Sequence, residues 1–345
     1  MPKALTWSLT ICTYNRAHFL VETVRCALEQ TRRPFEIVIV DASDDWEASR
    51  LALLSQFAEV WGDVALVHVP AKVRSLPFQR NQALGLARGD IVFSLDDDIY
   101  LYPDAAEIIM RGYEADEDEK IAMIGGHFTH GPYEADAPAS QEIAAPPRRG
   151  LRAWLEEQLS LESHFVPYGP NLDQSAVPSA VEGTGILSAG LINGGRSTFR
   201  RTFGDQVKWS EFLRYYATHE DGDFSYRMSL KGRLLNAPKA GFFHADGNDS
   251  TFKRFRVNTI RLRNLMALHR VHSKNRLKSA LRLAAMMLRF IALYLLIDAA
   301  QKRFSFPTVR AYLYGLVQIP VFLFWPFADF QAWYVALQEK MYASR

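Results

Sequence analysis

Ile91-Val92-Phe93-Ser94-Leu95-Asp96-Asp97-Asp98 is the stretch on which the fold turns. Its first five residues read as an apolar strand, and three carboxylates end it. In open α/β sheets ligands sit beyond the carboxyl ends of strands, where this triplet falls. Adjacent carboxylates repel one another, so an unpaired triplet is costly, and a hard divalent cation removes the repulsion. Mg2+ or Mn2+ held by one or two carboxylates finishes its shell with water and substrate phosphate. A solvated acidic turn is the plainer alternative for the triplet taken alone.

Outward from that strand the pattern alternates. Apolar β-rich runs over 5–12, 36–40, 64–69 and 121–125 are spaced by helical patterns over 19–30, 45–57, 77–87 and 103–115. Strands separated by helices of roughly 10–15 residues predict a parallel sheet with crossover helices. No G-x-G-x-x-G follows the first strand, which runs into Thr13-Tyr14-Asn15-Arg16. That disfavours a dinucleotide site and still allows a nucleotide at the strand ends.

Between 130 and 183 the pattern decays. Seven prolines punctuate it, and 151–161 is its one amphipathic piece. Long irregular stretches inside a domain are functional loops or disordered linkers, and this one is expected to shape the acceptor side of a substrate site, with disorder as the equal alternative. Regular structure is expected again over 186–199, then in a helix opening near His219. There Thr218 and Asp221 have the spacing of a capping box. Strand material over 234–243 leads into His244.

The chain of 345 residues has a net charge of +2, long enough for one large domain and an appendage. Its two cysteines, Cys12 and Cys26, lack metal or redox spacing and suit a reducing cytosol. The N-terminus predicts no signal or transit segment. Charge is unevenly spread: between Asp249 and Asp298 there is no acidic residue, against eleven Lys and Arg. No recognition module accompanies those charges, so no nucleic-acid partner is expected.

Several stretches, in order along the chain, carry a specific resemblance. They are Thr10-Ile11-Cys12-Thr13-Tyr14-Asn15-Arg16, Val38-Ile39-Val40-Asp41, Gln79-Arg80-Asn81-Gln82-Ala83, the aspartate triplet, His219-Glu220-Asp221-Gly222-Asp223, and Phe243-His244. Over roughly 5–250 they resemble the GT-A-fold glycosyltransferases of family 2. The resemblance implies an α/β, Rossmann-type, mostly parallel sheet flanked by helices, acting on a nucleotide-diphosphate sugar with Mn2+ or Mg2+. It implies that Thr13, Tyr14, Asn15, Arg16 and Asp41 hold the nucleotide, with Arg80 also meeting the donor. Asp96 and Asp97 would serve the donor as well. Asp98, with His244 and Asp96, would hold the metal. Asp221, beside Glu220, would be the base that deprotonates an acceptor hydroxyl as the sugar inverts.

The C-terminal region, 251–345, reads differently. A long helix is expected over 274–297, with Lys274, Lys278, Arg282 and Arg289 within about 80° of arc and most of the remaining circumference apolar. Arg282 and Arg289 interrupt a clean membrane span, and such a helix suits the membrane interface. A second stretch, 311–328, is uncharged but contains Gly315, Pro320 and Pro326. A packed helical subdomain and a true span are the alternatives. The expectation is therefore a metal-dependent inverting glycosyltransferase, peripheral on the cytoplasmic face of a membrane. Its acceptor would be a glycan or a lipid-linked chain in cell-surface polysaccharide assembly. A nucleotidyltransferase, or a catalytically silent nucleotide-sugar-binding scaffold, is the competing reading.

Overall fold

The computed structural model describes residues 4–129, 166, 168–169, 177–192, 194–215, 217–245 and 254–343. The chain divides into two units, one of 1–144, 171–211 and 220–247, the other of 145–170, 212–219 and 248–345.

The first unit is built on one nine-stranded sheet. Its first half is parallel: β1 (Trp7–Thr13), β2 (Glu36–Asp41), β3 (Ala65–Pro70) and β4 (Ile91–Asp96) lie in the order β3-β2-β1-β4. The connections between them carry α1 (Ala17–Leu28), α2 (Trp46–Gln56) and α3 (Leu76–Leu86). Ile37-Val38-Ile39-Val40 makes β2 β-branched throughout, and every residue of that strand is buried. The register pairs Thr13 with Asp41 and Cys12 with Asp96, so β1, β2 and β4 end at one edge of the sheet.

The second half departs from the parallel pattern. After Asp98 the chain turns directly into β5 (Ile99–Leu101), followed by α4 (Ala105–Ala115) and β6 (Ile121–Phe128). β7 (Leu187–Ser188) is short, and β8 (Ser197–Arg200) inserts antiparallel between β4 and β6. After α5 (Arg201–Val207) and α6 (Glu220–Ser229), β9 (Arg233–His244) runs parallel to β6 and antiparallel to β5 and β7. The α/β class expected from the sequence is present, with a mixed sheet where a mostly parallel one was expected. Gly126 shows how closely β6 and β9 pack, since a Cβ there would lie 2.0 Å from the Phe242 ring.

The stretch expected as regular over 186–199 is instead β7, a 3-10 turn at Gly194–Arg196, and β8. The capping box does not form. α6 begins at Glu220, after His219 in the left-handed region (φ 71°), so Asp221 lies one residue too early for that motif. The amphipathic piece at 151–161 and most of the 130–183 loop lie outside the described residues. Of that loop, 177–183 contains the 3-10 turn Ser179–Val181.

The second unit contains α7 (Arg254–His272), α8 (Arg276–Ala300), α9 (Pro307–Phe324) and α10 (Phe330–Ala343). α8 is the long helix expected over 274–297, capped by Asn275, whose side chain accepts from the Lys278 N–H at 2.9 Å. α8 and α9 run antiparallel: Phe290 and Tyr294 meet Tyr312, and Asp298 accepts from the Thr308 N–H. Pro320 falls inside α9 and Pro326 beyond its end. His269 is fully buried between the Val166 carbonyl at 3.0 Å and the Ser279 hydroxyl at 2.9 Å. α8 is the one helix among the described residues long and apolar enough to cross a membrane, and only 28% of that window is buried.

Candidate active site

The turn after β1 comes first. Asn15 has φ 55°, a left-handed conformation that Asn tolerates better than most residues, which accounts for asparagine in Thr13-Tyr14-Asn15-Arg16. The turn aims its side chains at the aspartates. Thr13 donates its hydroxyl to Asp97 at 2.7 Å, and Arg16 spans Asp97 (3.1 Å) and Asp98. Tyr14 stands out into solvent, with the Arg74 guanidinium 5.8 Å from its ring.

Asp98 meets His244 because β5 follows the triplet immediately and pairs with β9 in the register Ile99 to His244. The two side chains lie 3.4 Å apart, and the Ala245 N–H donates to the Asp98 carbonyl at 3.0 Å. The triplet is therefore partnered within the protein, by Arg80 on Asp96, Arg16 on Asp97, and Arg16 with the His244 ring on Asp98. Relief of repulsion does not by itself demand a metal. The three carboxylates nevertheless differ: Asp96 is 42% exposed, whereas Asp97 and Asp98 are nearly closed off.

Those environments set their protonation. Burial pushes Asp97 up to about 7, against the Thr13 hydroxyl and Arg16. Burial would raise Asp98 too, but His244 and Arg16 more than offset it and hold its carboxyl below the usual range. Beneath them burial drives the Cys12 thiol up to about 12, leaving it a neutral packing group.

The Gln79-Arg80-Asn81 turn of α3 ties the site together. Gln79 donates to the carbonyls of Thr13 (3.3 Å) and Val40 (3.1 Å), joining the ends of β1 and β2. Arg80, buried, donates to Asp96 at 2.9 Å and to Glu220 at 2.8 Å. Burial opposes its charge, and the two carboxylates outweigh that, holding its pKa above the ordinary value. Asn81 makes a reciprocal pair with the Trp209 backbone, accepting its N–H at 2.8 Å and donating to its carbonyl at 3.0 Å. Trp209 in turn stacks on Phe224 of α6, with ring centroids 4.0 Å apart and 6° between planes. One helical turn thus fixes where α6 begins.

At that beginning, Asp221 accepts from the Gly194 N–H at 2.9 Å through one oxygen and from the Gly222 N–H at 2.7 Å through the other. A Cβ on Gly194 would lie 3.2 Å from the Arg80 guanidinium and 3.3 Å from the Asp221 Cβ. One on Gly195 would lie 3.2 Å from an Asp96 oxygen. The Gly194-Gly195 turn is therefore a contact the sequence reading missed, although a Gly-Gly pair at a sheet edge signals close approach. Glu220 is buried; burial and then Asp221 push its carboxyl up, against the pull of Arg80.

Asp41 lies apart from this cluster. It is buried, accepting from the Ser43 N–H at 2.8 Å and facing His68 Nε2 at 3.2 Å. Ser43 accepts from the Asn15 N–H at 2.8 Å, so Asp41 steadies the Asn15 turn. Asp41 is 2% exposed, so contact with a base would require it to be uncovered. His68, also buried, is a second residue the sequence reading missed, since a lone histidine in an apolar strand carries no pattern.

For a divalent cation, Asp98 Oδ1 is the fitting atom: it is buried and has no hydrogen-bond partner. His244 stands beside the same carboxylate, while Asp96 turns to Arg80. No three His, Cys, Asp or Glu side chains among the described residues form a complete cage. Two protein ligands, with substrate oxygens and water supplying the rest, is the shell Mg2+ or Mn2+ takes at a phosphate.

Residues 8–163 match Glycosyl transferase family 2. Over 121 residues the chain is 31% identical to glucosyl-dolichyl phosphate glucuronosyltransferase of Haloferax volcanii, covering 34% of this chain and 37% of that relative. The chain thus aligns with little more than a third of the relative's length. Among solved structures it is similar to the mannosyltransferase PcManGT from Pyrobaculum calidifontis in complex with GDP-Man and Mn2+. That likeness has 14% identity, 92% of this chain and 87% of that one, and a TM-score of 0.52. It is also similar to GalNAc-T7 with UDP, GalNAc and Mn2+, at 15% identity over 78% of this chain and 48% of that one, TM-score 0.50. At such identities the likeness shows the fold, and that fold is the GT-A-like one expected.

Proposed function

We propose, from the match of residues 8–163 to Glycosyl transferase family 2, that the chain transfers a sugar, with inversion, from a nucleotide-diphosphate donor to an acceptor hydroxyl. The observation that carries the reading is Asp221, whose two oxygens are fixed by the backbone N–H groups of Gly194 and Gly222 beside Arg80 and Asp96. A carboxylate so oriented, on the acceptor side of the sugar, takes the hydroxyl proton as the anomeric carbon is attacked. Arg80 and Glu220 keep its helix terminus in place. The exposed Asp96 meets the donor, Tyr14 offers a face to the base, and Thr13 and Arg16 hold Asp97.

Mn2+ or Mg2+ would sit on Asp98 and His244 and supply Lewis-acid stabilisation of the departing diphosphate. The Mn2+ bound in both structural neighbours supports that choice. The dolichyl-phosphate relative supports a lipid-linked acceptor. The test is Asp221→Asn, assayed with UDP-, GDP- and dTDP-sugars and Mn2+. Transfer should be lost while thermal stabilisation by the donor is kept. Retained turnover removes Asp221 as the base, and no stabilisation of the unaltered chain by any donor removes the enzyme reading.

A further inference from the structure

The second unit carries a surface that the chemistry above does not use. On α8 the leucines Leu277, Leu281, Leu288 and Leu295 are 64%, 66%, 58% and 44% exposed. Their spacing of four, seven and seven residues puts them within about 40° of arc, so they form one stripe along the helix. The opposite face, with Leu283, Met287 and Phe290, is buried. α9 repeats the pattern: Leu313, Val317, Val321 and Phe324 are exposed, and no charge follows Arg310 in that helix. Isolated exposed leucines are ordinary, but two neighbouring helices with continuous apolar stripes are not.

What covers α8 is indicated by the charges beside its stripe. Lys278 and Arg282 are exposed and Arg289 half-exposed, and with the helical turn they form a second stripe about 90° round from the leucines. No acidic residue lies between Asp249 and Asp298 to balance them. The basic stripe runs parallel to the helix axis. From Lys278 to Arg289 the helix advances about 16 Å, so in a helix crossing a bilayer those cations would sit at very different depths. In a helix lying flat they share one depth, at the headgroups, with the leucines one stripe lower in the acyl region.

We infer that α8 and α9 dock the protein flat on an anionic lipid surface, with the leucine stripe of α8 and the apolar stripe of α9 in the acyl layer and Lys278 and Arg282 on lipid phosphates. The inference deepens the reading of a transferase working at a membrane. It adds the docking helices, their orientation and the charge of the lipid.

The full chain should sediment with phosphatidylcholine vesicles containing phosphatidylglycerol and much less with phosphatidylcholine alone. Leu281→Glu/Leu288→Glu should weaken that binding by roughly a hundred-fold. Lys278→Glu/Arg282→Glu should weaken it roughly ten-fold or more, and only on the anionic vesicles. Circular dichroism confirms that each variant is folded, and thermal stabilisation by nucleotide sugar with Mn2+ reports the donor site separately. An unaltered chain that stays in the supernatant with both vesicle types overturns the inference. So does a leucine variant that still sediments, or one whose only change is from dimer to monomer by light scattering. Any of these results leaves the transferase reading standing if the donor still stabilises the chain.

Discussion

His269 makes the second unit acid-sensitive by a calculable amount. Its ring is fully buried, with Val166 accepting from one nitrogen and the Ser279 hydroxyl on the other, an arrangement complete for a neutral imidazole. Burial, followed by the nearby charges of Arg282 and His272, lowers its pKa from 6.5 to about 4. The unfolded chain then binds a proton that the folded one refuses. Stability is full above the unfolded value and falls as pH drops from about 6.5 towards 4. Between pH 7 and pH 5 the loss is about 2 kcal/mol, out of a limit of about 3 kcal/mol for the whole shift. Urea unfolding of the full chain at both pH values, compared with His269→Gln, isolates this contribution. Glutamine can keep one donor and one acceptor without titrating, so the difference between the two proteins should shrink by about 2 kcal/mol from pH 7 to pH 5. Identical pH dependence in the two would refute the reasoning.

Three further perturbations address the first unit. Arg80→Met leaves Asp96 and Glu220 facing each other without their guanidinium, and should cost about 3–5 kcal/mol in urea unfolding. Gly126→Ala drives a methyl group into the Phe242 ring, a contact of 2.0 Å that the buried ring or the two strands must move to relieve. A loss of about 1–3 kcal/mol is expected, and an unchanged melting temperature would show that the ring or the strands move freely. Gly194→Ala places a methyl 3.2 Å from Arg80 and 3.3 Å from the Asp221 Cβ. Donor binding should survive while transfer slows by roughly ten- to a hundred-fold, and equal kcat would show that Asp221 needs no such positioning.

The parts that could be read from the sequence are those written in consecutive residues. β2 and β4 carry the apolar runs Ile37–Val40 and Ile91–Phe93, β1 alternates Trp7, Leu9 and Ile11 with Ser8 and Thr10, and all three end in polar turns, which makes them conspicuous. β8 is Ser197-Thr198-Phe199-Arg200, short and mostly polar, and it is a strand because β4 and β6 flank it. α5, with Gly204 inside seven residues, has no helical signature strong enough to announce itself. The site divides in the same way. The aspartate triplet and Glu220-Asp221 are visible as clusters, whereas the inward turn of Asp41 towards His68 depends on the pairing of β2 with β3. The supposed capping box failed because its spacing was right but its helix starts two residues after Thr218.

The pairing of β5 with β9 also has a consequence in time. A chain growing from its N-terminus acquires Thr13, Arg16 and all three aspartates early, yet Arg80 waits for Glu220, 140 residues later, and His244 is the final residue of the last strand. Until that strand docks, Asp98 lacks the His244 imidazole beside it. On the function proposed above, a fragment that ends before this strand should show no thermal stabilisation by a nucleotide sugar with Mn2+.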